Sequence, residues 1–438
     1  MNTRLYAIIA AAVLSLVVDA GARGMTLTAD SCRILAVANN ENLRKAANGV
    51  RRAELDKEIA FTAYLPDFSA TAAAMYLVEE PDVMGVGLSM KGTYLAGVSL
   101  TQPLYAGGRI RAANKLGKLG MECAEESERK ERMQVIADAD NAYWSYVAVL
   151  KKVDLLEIYM QQMDTLMLQT RLSVGAEMAT ENDLLRIEAK RSDIAYQLQK
   201  ARNGAELCRL ALCNVTGLDF DVEISPADVE ISVSMPGVLD DDISRRPELS
   251  LLRKQIGVRE EQVKIARADI LPTLGLSVGY LYLGNIKMKG VFDAGDGVMA
   301  PYTHTMNDGY TSAMATLSIP LFHWGEGRKK VKQARIDVDN ARLELEANSR
   351  LMRIEARQAV QNVTDSYDMI STAALGLRQA EENLRVMRQK YDVQMCTLTD
   401  LLDAQSQWQQ AYSNHIEAQS QFKIYESEYY RVTGQLDL

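Results

Sequence analysis

Residues that interrupt regular structure or bind metal ions are scarce in this 438-residue sequence. Nine prolines and 27 glycines favour long uninterrupted helices over a loop-rich sandwich. The five cysteines include no close Cys-x-x-Cys pair, so we expect neither a zinc site nor a full disulfide framework. Cys208 and Cys213 fall on different faces of a predicted helix, and we expect no bond between them.

Signals of an enzyme are also missing. The three histidines, His304, His323 and His415, show no metal-ligand spacing and have no second candidate base near them in the predicted elements. No GxSxG motif, P-loop or dinucleotide fingerprint occurs. We therefore predict a protein that is not an enzyme, with no catalytic residues, no metal site and no cofactor.

An excess of basic residues is absent. Lys and Arg number 49 against 58 Asp and Glu, which gives a formal net charge of −9. A nucleic-acid partner is not expected, because no basic face stands out to neutralise phosphates.

An apolar run long enough to cross a bilayer is lacking after the first residues. Arg4, the apolar stretch Leu5–Val18 and the small residues Ala20-Gly21-Ala22 are typical of an export signal, predicted over 1–22. The alternative is a membrane anchor. The run is shorter than the roughly 20 residues that an anchor needs, which favours the signal peptide.

What the sequence does contain is one unit repeated. Motifs recur 217 residues later: Val215-Thr216-Gly217 as Val432-Thr433-Gly434, Asp183-Leu184-Leu185 as Asp400-Leu401-Leu402, and Pro103-Leu104-Tyr105 as Pro320-Leu321-Phe322. Upstream the offset is 206, where Leu65-Pro66 matches Leu271-Pro272. We predict a first repeat over 23–225 and a second over 226–438. The second has 11 extra residues between Pro272 and Pro320, interpreted as a surface loop.

Each repeat shows the same order of predicted elements. A leading helix is followed by two strands, a very long helix and a return helix, and Gly217 and Gly434 mark left-handed caps at the ends of the return helices. The predicted helices cover about 29–63, 108–173 and 180–216 in the first repeat, and about 240–270, 325–392 and 397–432 in the second.

Four stretches without charged residues occupy the strand positions. On the third stretch Leu274, Leu276 and Val278 alternate with Gly275 and Ser277, a pattern typical of a membrane barrel strand. A soluble antiparallel sheet with one buried face is the alternative. Tyr105, Phe322 and Trp324 follow the strands, where an aromatic girdle would meet water. The predicted strands cover about 67–78, 92–104, 272–284 and 309–320.

Four strands are too few to close a barrel, so several chains must contribute. Three chains would supply about twelve strands in a closed symmetric ring.

These motifs, in this order and twice over, resemble the TolC family of outer-membrane efflux channels across about 27–436. The resemblance is carried by Leu27-Thr28 through Leu43, Tyr64-Leu65-Pro66, Ile270-Leu271-Pro272, Gln102-Pro103-Leu104-Tyr105, Ile319-Pro320-Leu321-Phe322 and Asp400-Leu401-Leu402-Asp403-Ala404-Gln405. It implies a mixed α/β membrane protein. Long helices would form a periplasmic α-barrel tunnel, and four strands per chain would join a twelve-stranded outer-membrane β-barrel in a homotrimer.

The resemblance also implies a function and partners. The chain would be the outer-membrane channel of a tripartite efflux or secretion system in a Gram-negative-type cell. It would dock on a periplasmic adaptor and an inner-membrane RND or ABC transporter, and it would contact outer-membrane lipid. Two alternatives stay open: a periplasmic coiled-coil structural protein, and a channel dedicated to type I protein secretion.

The residues expected to act lie at two hairpin tips, Arg171–Thr180 and Tyr391–Thr397. In the family, acidic residues after the second tip ring the pore. Here they are Asp400 and Asp403, whose i, i+3 spacing puts both on one helix face. Thr180-x-x-Asp183 and Thr397-x-x-Asp400 are also capping boxes, so capping is the alternative role for Asp183 and Asp400.

The resemblance assigns two further roles at the tips. A closing latch would link Tyr391 to Asp183, although the companion arginine of the family is replaced by Cys396. Adaptor contact would use the hairpin turns, which contain Val174 and Gly175 in the first repeat and Val393 and Gln394 in the second.

Overall fold

The fold is described from a computed structural model, over residues 25–79, 82–83, 86–228, 230–293 and 299–436. The predicted signal peptide, residues 1–22, lies outside the described residues. Seven helices are assigned in these ranges: α1 (Ala29–Asn39), α2 (Glu41–Thr62), α3 (Arg109–Gly175), α4 (Glu181–Thr216), α5 (Pro247–Ala268), α6 (Glu326–Asp392) and α7 (Leu398–Thr433). None of these helices is long and apolar enough to cross a membrane.

The long and return helices confirm the prediction to within two residues. Both long helices, α3 and α6, contain 67 residues, and both return helices, α4 and α7, contain 36. Gly217 (φ 69°) and Gly434 (φ 73°) adopt the predicted left-handed conformation after the return helices. Thr180 and Thr397 begin them with capping boxes.

The first predicted leading helix, about 29–63, has the right outer bounds but is divided in two, and the second, about 240–270, begins later than predicted. The first is broken at Asn40, whose ψ of 125° is extended and whose Oδ1 accepts hydrogen bonds from Asn42 N and Leu43 N. Asn40 therefore starts a second helix. The other leading helix begins at Pro247, a residue suited to the first helical position. Asp240 and Asp242 before it accept local backbone hydrogen bonds that compete with helix formation.

Eight strands are assigned in the described ranges: β1 (Met25–Leu27), β2 (Asp67–Tyr76), β3 (Asp82–Val83), β4 (Val86–Ser89), β5 (Lys91–Ala106), β6 (Ile224–Pro226), β7 (Thr273–Asp293) and β8 (Met299–Ser318). The antiparallel order β2-β5-β7-β8 forms the main sheet, with β3 and β4 running beside the far end of β7. β1 and β6 form a separate parallel pair.

The second-repeat strands are longer than predicted, and the predicted surface loop is wrong. β7 and β8 continue to pair beyond a bulge, from Ile286↔Met306 to Asp293↔Met299. Asn285 (φ 60°) forms the bulge, and its Nδ2 donates to the carbonyls of Lys91 and Gly92. The charge-free stretches end before these strands do, because backbone pairing continues through a charged hairpin.

Apolar and small or polar side chains alternate between the two faces of the main sheet, as predicted. The register places Phe68 beside Leu100, Val98 beside Tyr280, and Val278 beside Ala313 on one face. The other face contains small and polar residues, including Ser69 and Ser99, whose hydroxyls lie 2.8 Å apart. Phe68, Val98 and Tyr280 are exposed in the single chain, so the soluble sheet with a buried face is not observed.

Contacts divide the chain into two compact units that each draw on both repeats. Among the described residues, the helical unit contains 25–49, 125–228, 230–251 and 345–436. The sheet unit contains the described residues within 50–124 and 252–344. The repeats over 23–225 and 226–438 stay a prediction about sequence organisation.

A buried ion pair fixes three helices of the helical unit. Asp140 on α3 is 1% exposed, and it accepts hydrogen bonds from Arg33 Nε (2.6 Å) and Nη2 (3.0 Å) on α1. The Ser427 hydroxyl on α7 donates to the same carboxylate. Since a buried carboxylate needs such partners, the contact specifies how these helices pack.

Candidate functional site

The two hairpin tips have the same backbone conformation. In the first tip Glu177 (φ 59°) is left-handed, and Met178 N donates to Ser173 O. In the second tip Gln394 (φ 60°) is left-handed, and Met395 N donates to Lys390 O. The left-handed position thus falls on Glu177 and not on Gly175, which is the last residue of α3.

Asp183 and Asp400 both cap the return helices. Asp183 Oδ2 accepts from the Thr180 hydroxyl at 2.7 Å, and Asp400 Oδ2 accepts from the Thr397 hydroxyl at 2.7 Å and from Thr397 N at 3.0 Å. The hydrogen bonds from Thr397 hold the pKa of Asp400 below its ordinary value of 3.8. Both aspartates therefore cap their helices, and the cap at Asp400 keeps its carboxylate charged.

Asp403 lies on the exposed face of α7. Leu398, Leu401, Ala404 and Trp408 of this helix are buried in a core shared by α3, α4, α6 and α7. Asp400 and Asp403 are exposed and lie outside this apolar stripe. The packing of α7 therefore leaves two carboxylates available to solvent near the tip.

The predicted latch residues are not joined within the described chain. Asp183 is engaged with Thr180, whereas Tyr391 packs against the apolar core of the hairpins. Among the described residues no hydrogen bond links the two.

A different contact ties the hairpins together. Arg186 Nη1 on α4 donates to Thr399 Oγ1 on α7 at 2.7 Å. Arg186 is not among the site residues predicted from the sequence. The 217-residue offset could have identified it, because it pairs Arg186 with Asp403 and so reverses the charge at equivalent positions.

Cys396 occupies the expected arginine position without supplying its chemistry. Its thiol is half-buried, and Sγ lies 3.4 Å from Met387 O. Burial raises the pKa of the Cys396 thiol, and the nearby Asp400 carboxylate raises it further. A neutral thiol therefore sits where a cation was expected.

The expected adaptor-contact residues differ in exposure. Val174 is half-buried, while Gly175, Val393 and Gln394 are exposed. Two methionines outside the predicted set are also exposed, Met178 at 68% and Met395 at 74%. They occupy equivalent positions 217 residues apart, so each tip presents one methionine.

The fold and the tips define a class of protein. The sheet has two open edges and exposed apolar side chains, as in a subunit of an oligomeric membrane channel, and the long and return helices form two hairpins. The chain belongs to the outer membrane efflux protein family, whose model matches residues 34–204 and 238–435. This confirms the predicted family, its outer-membrane location and its function as an efflux channel.

Individual relatives align with most of the length of this chain. The outer membrane efflux protein BepC of Brucella suis is 22% identical over 409 residues, 91% of this chain and 83% of BepC. TolC of Escherichia coli is 23% identical over 383 residues, 84% of this chain and 74% of TolC. The crystal structure of the Campylobacter jejuni CmeC outer membrane channel superposes with a TM-score of 0.77 at 18% identity, covering 93% of this chain and 85% of CmeC. The last comparison confirms the predicted fold class.

Proposed function

We propose that three copies of this chain form a passive duct through the outer membrane, with the hairpins extending into the periplasm. The observation that carries the proposal is the main sheet, whose edge strands β2 and β8 have no further partner in the described chain. Open edges cannot stay unpaired in lipid. Pairing β2 of one copy with β8 of the next satisfies both edges.

Apolar exposure supports the same assembly. Phe68, Tyr280 and Leu317 lie on one face of the sheet and are exposed in the single chain. A lipid-facing barrel wall needs apolar side chains on its outside. The face that contains Ser69 and Ser99 would then line the lumen.

Light scattering of the detergent-purified protein tests the ring, and single-channel recording in planar bilayers tests the duct. We expect a particle of three chains that conducts ions without added nucleotide or proton gradient. Monomers that insert no channels would contradict the proposal. Recovery of the intact protein in the soluble periplasm would instead support the coiled-coil scaffold.

We propose that Asp400 and Asp403 form the narrow part of the duct. Three copies would place about six carboxylates around one opening, where they attract cations and repel anions. The exposed position of both residues on α7 supports this role. The capping hydrogen bonds on Asp400 are compatible with it, because they leave the carboxylate charged.

Closure of the duct involves two contacts. We propose that Arg186 and Thr399 hold the hairpins of one chain together, since their hydrogen bond is present in the structure. The latch between Tyr391 and Asp183 is proposed to act between neighbouring copies. Cys396 stands where the resemblance leads us to expect an arginine, so this position provides no positive charge. Arg186 supplies a cation from the other hairpin instead.

The tips are proposed to dock on a periplasmic adaptor that connects to an inner-membrane RND or ABC transporter. Val393 and Met395 are exposed apolar residues at one tip, with Gly175 and Met178 at the other. Val393→Glu should abolish copurification of the adaptor, because a charge would be buried on docking. Gln199→Glu, an exposed position on α4, is the control that should retain it.

Protein secretion is the second candidate function. AprF of Pseudomonas aeruginosa, an alkaline protease secretion protein, is 23% identical over 66% of this chain and 57% of its own length. Copurification with an ABC transporter that exports a protein would favour secretion. Copurification with an RND pump would favour small-molecule efflux.

A further inference from the structure

A basic cleft lies in the sheet unit, where β5 ends and α3 begins. Its volume is about 360 Å³. Arg111 and Lys115 of α3 form one wall, and Lys264 and Arg267 of α5 form the other, with one acidic residue, Glu261, between them. The cleft therefore carries a formal charge of +3 in a chain whose net charge is −9.

Glu261 positions the two lysines. It is 2% exposed and lies 2.9 Å from Lys115 Nζ and 2.8 Å from Lys264 Nζ. Burial alone would raise the pKa of Glu261, but the hydrogen bonds from Lys264 and Lys115 hold it below its usual value. An ionised, buried carboxylate thus fixes an ammonium group on each wall.

The two arginines have no such partner. Arg111 and Arg267 are exposed, and neither makes an ion pair among the residues that the structure describes. Their positive charges repel the neighbouring lysines, as Arg111 does Lys115. A planar guanidinium matches the oxygens of a phosphate in a bidentate arrangement.

Helix stability explains Arg267, which lies in the last turn of α5 where the helix dipole favours a cation, but it does not explain the two basic residues on α3. The first turn of α3 contains no acidic residue, although acidic side chains are the ones that the start of a helix favours. The pair Arg111 and Lys115 recurs 217 residues later as Arg328 and Lys332 at the start of α6.

The opposite wall is different in the two repeats. At the 206-residue offset, Lys264 and Arg267 correspond to Glu58 and Phe61 in α2. The set of four basic residues is therefore found only between α3 and α5 when the two repeats are compared.

We propose that this cleft binds a phosphate group, either the headgroup of an anionic phospholipid or a soluble phosphate-bearing anion. The cleft adjoins the end of β5, and its volume falls within the range of ligand pockets, about 300–1,000 Å³. The site is built within one chain. The phosphate proposal rests on the proposed function in one respect: a barrel in the membrane would place this end of the sheet at the membrane surface.

Thermal unfolding of the detergent-purified full-length protein, followed by circular dichroism, tests the site. Phosphatidylglycerol, phosphatidylcholine and inorganic phosphate are added separately. Phosphatidylglycerol should raise the Tm more than net-neutral phosphatidylcholine. If inorganic phosphate at the same concentration raises it as much, the site takes a soluble anion; if it has no effect, the site takes the lipid headgroup.

The variant R111Q/R267Q should lose at least about tenfold in apparent affinity for the effective ligand, because two charge-assisted contacts are removed. R111K/R267K keeps the positive charge but loses the planar guanidinium that can bind two phosphate oxygens, and its loss of affinity should be intermediate. The control K200Q/R388Q removes two exposed charges in the helical unit and should bind like the unaltered protein.

Two results would overturn the phosphate site: no Tm rise with either phosphate ligand, or an equal rise in R111Q/R267Q. Failure of the ring is distinguishable from failure of the site. All variants should remain assemblies of three chains with unchanged conductance, whereas a wrong assembly would show as single chains in the unaltered protein too.

Discussion

The two hairpins of this chain have matching backbones and different side chains. Their helices have equal lengths, and their tips share a left-handed residue and a threonine cap. At the 217-residue offset, however, Arg186 corresponds to Asp403, and Val174 corresponds to Tyr391. Caps and turns determine the geometry of both hairpins. The other positions can differ, which would let one hairpin supply the proposed pore acids and the other a cation.

The same contrast recurs where each hairpin meets its leading segment. Asp140 of the first repeat is buried against Arg33, whereas the residue 217 positions later is Arg357, which pairs with Asp241 at 2.9 Å on the surface. The long-helix position is thus acidic and buried in the first repeat and basic and exposed in the second. The partner positions are not equivalent, because Arg33 corresponds to Leu239 at the 206-residue offset.

The largest effect is expected from Asp140→Ala. It leaves Arg33 without its buried partner, and we expect a loss of about 3 kcal/mol in the free energy of unfolding. Thermal melting by circular dichroism measures it. Asp30→Ala is the control, because Asp30 pairs with the same arginine from an exposed position; equal losses in both variants would refute the burial argument.

Asp403→Ala should raise the conductance of the duct and weaken block by a trivalent cation roughly tenfold, since three carboxylates leave the ring. Titration of the block in planar bilayers measures it. Asp193→Asn, on the exposed surface of α4, should leave block unchanged. Unaltered block in D403A would remove this residue from the pore.

Arg186→Ala should increase the open probability of single channels severalfold, because the hydrogen bond between the hairpins is lost. Thr399→Val removes the acceptor and should reproduce the effect without a change of charge. If R186A opens the duct and T399V does not, the arginine acts through its charge alone and the proposed contact is wrong.

Acid should leave the Asp400 carboxylate charged at pH values that protonate an ordinary aspartate. Asp400 has a lowered pKa, so its capping stabilisation is present above pH 3.8 and is lost only as the pH falls through the lower folded value. In Asp403→Ala, the remaining cation block should therefore persist below pH 3.8. Adding Thr397→Ala removes the hydroxyl hydrogen bond to Asp400 and leaves the backbone one, so it should move the loss of block to higher pH; an unchanged midpoint would contradict this.

The smallest effect is expected from Arg357→Ala. Its pair with Asp241 is exposed, and exposed pairs contribute little to stability. We expect a Tm within experimental error of the unaltered protein. A loss as large as that of D140A would mean that the second repeat is anchored in the same way as the first.

Sequence alone predicted the hairpins well because the residues at the helix ends determine where each helix starts and stops. Thr180, Thr397, Gly217 and Gly434 start or stop helices through local hydrogen bonds and left-handed geometry. The break at Asn40 is equally local, and its capping side chain could have been recognised.

Contacts between distant segments could not be predicted from one repeat at a time. The hydrogen bond from Arg186 to Thr399 spans 213 residues, and the pair of Arg33 with Asp140 spans 107. Neither leaves a periodic signal in the sequence. The charged part of the β7–β8 hairpin was missed for another reason, since membrane strands can continue into water without a change in backbone pairing.

Amide hydrogen exchange of the assembled protein in detergent tests the closed ring most directly. We predict that the amides of β2 and β8 are as strongly protected as those of β5 and β7, because each edge strand pairs with a neighbouring copy. Rapid exchange along β2 and β8, with protection confined to β5 and β7, would contradict the ring.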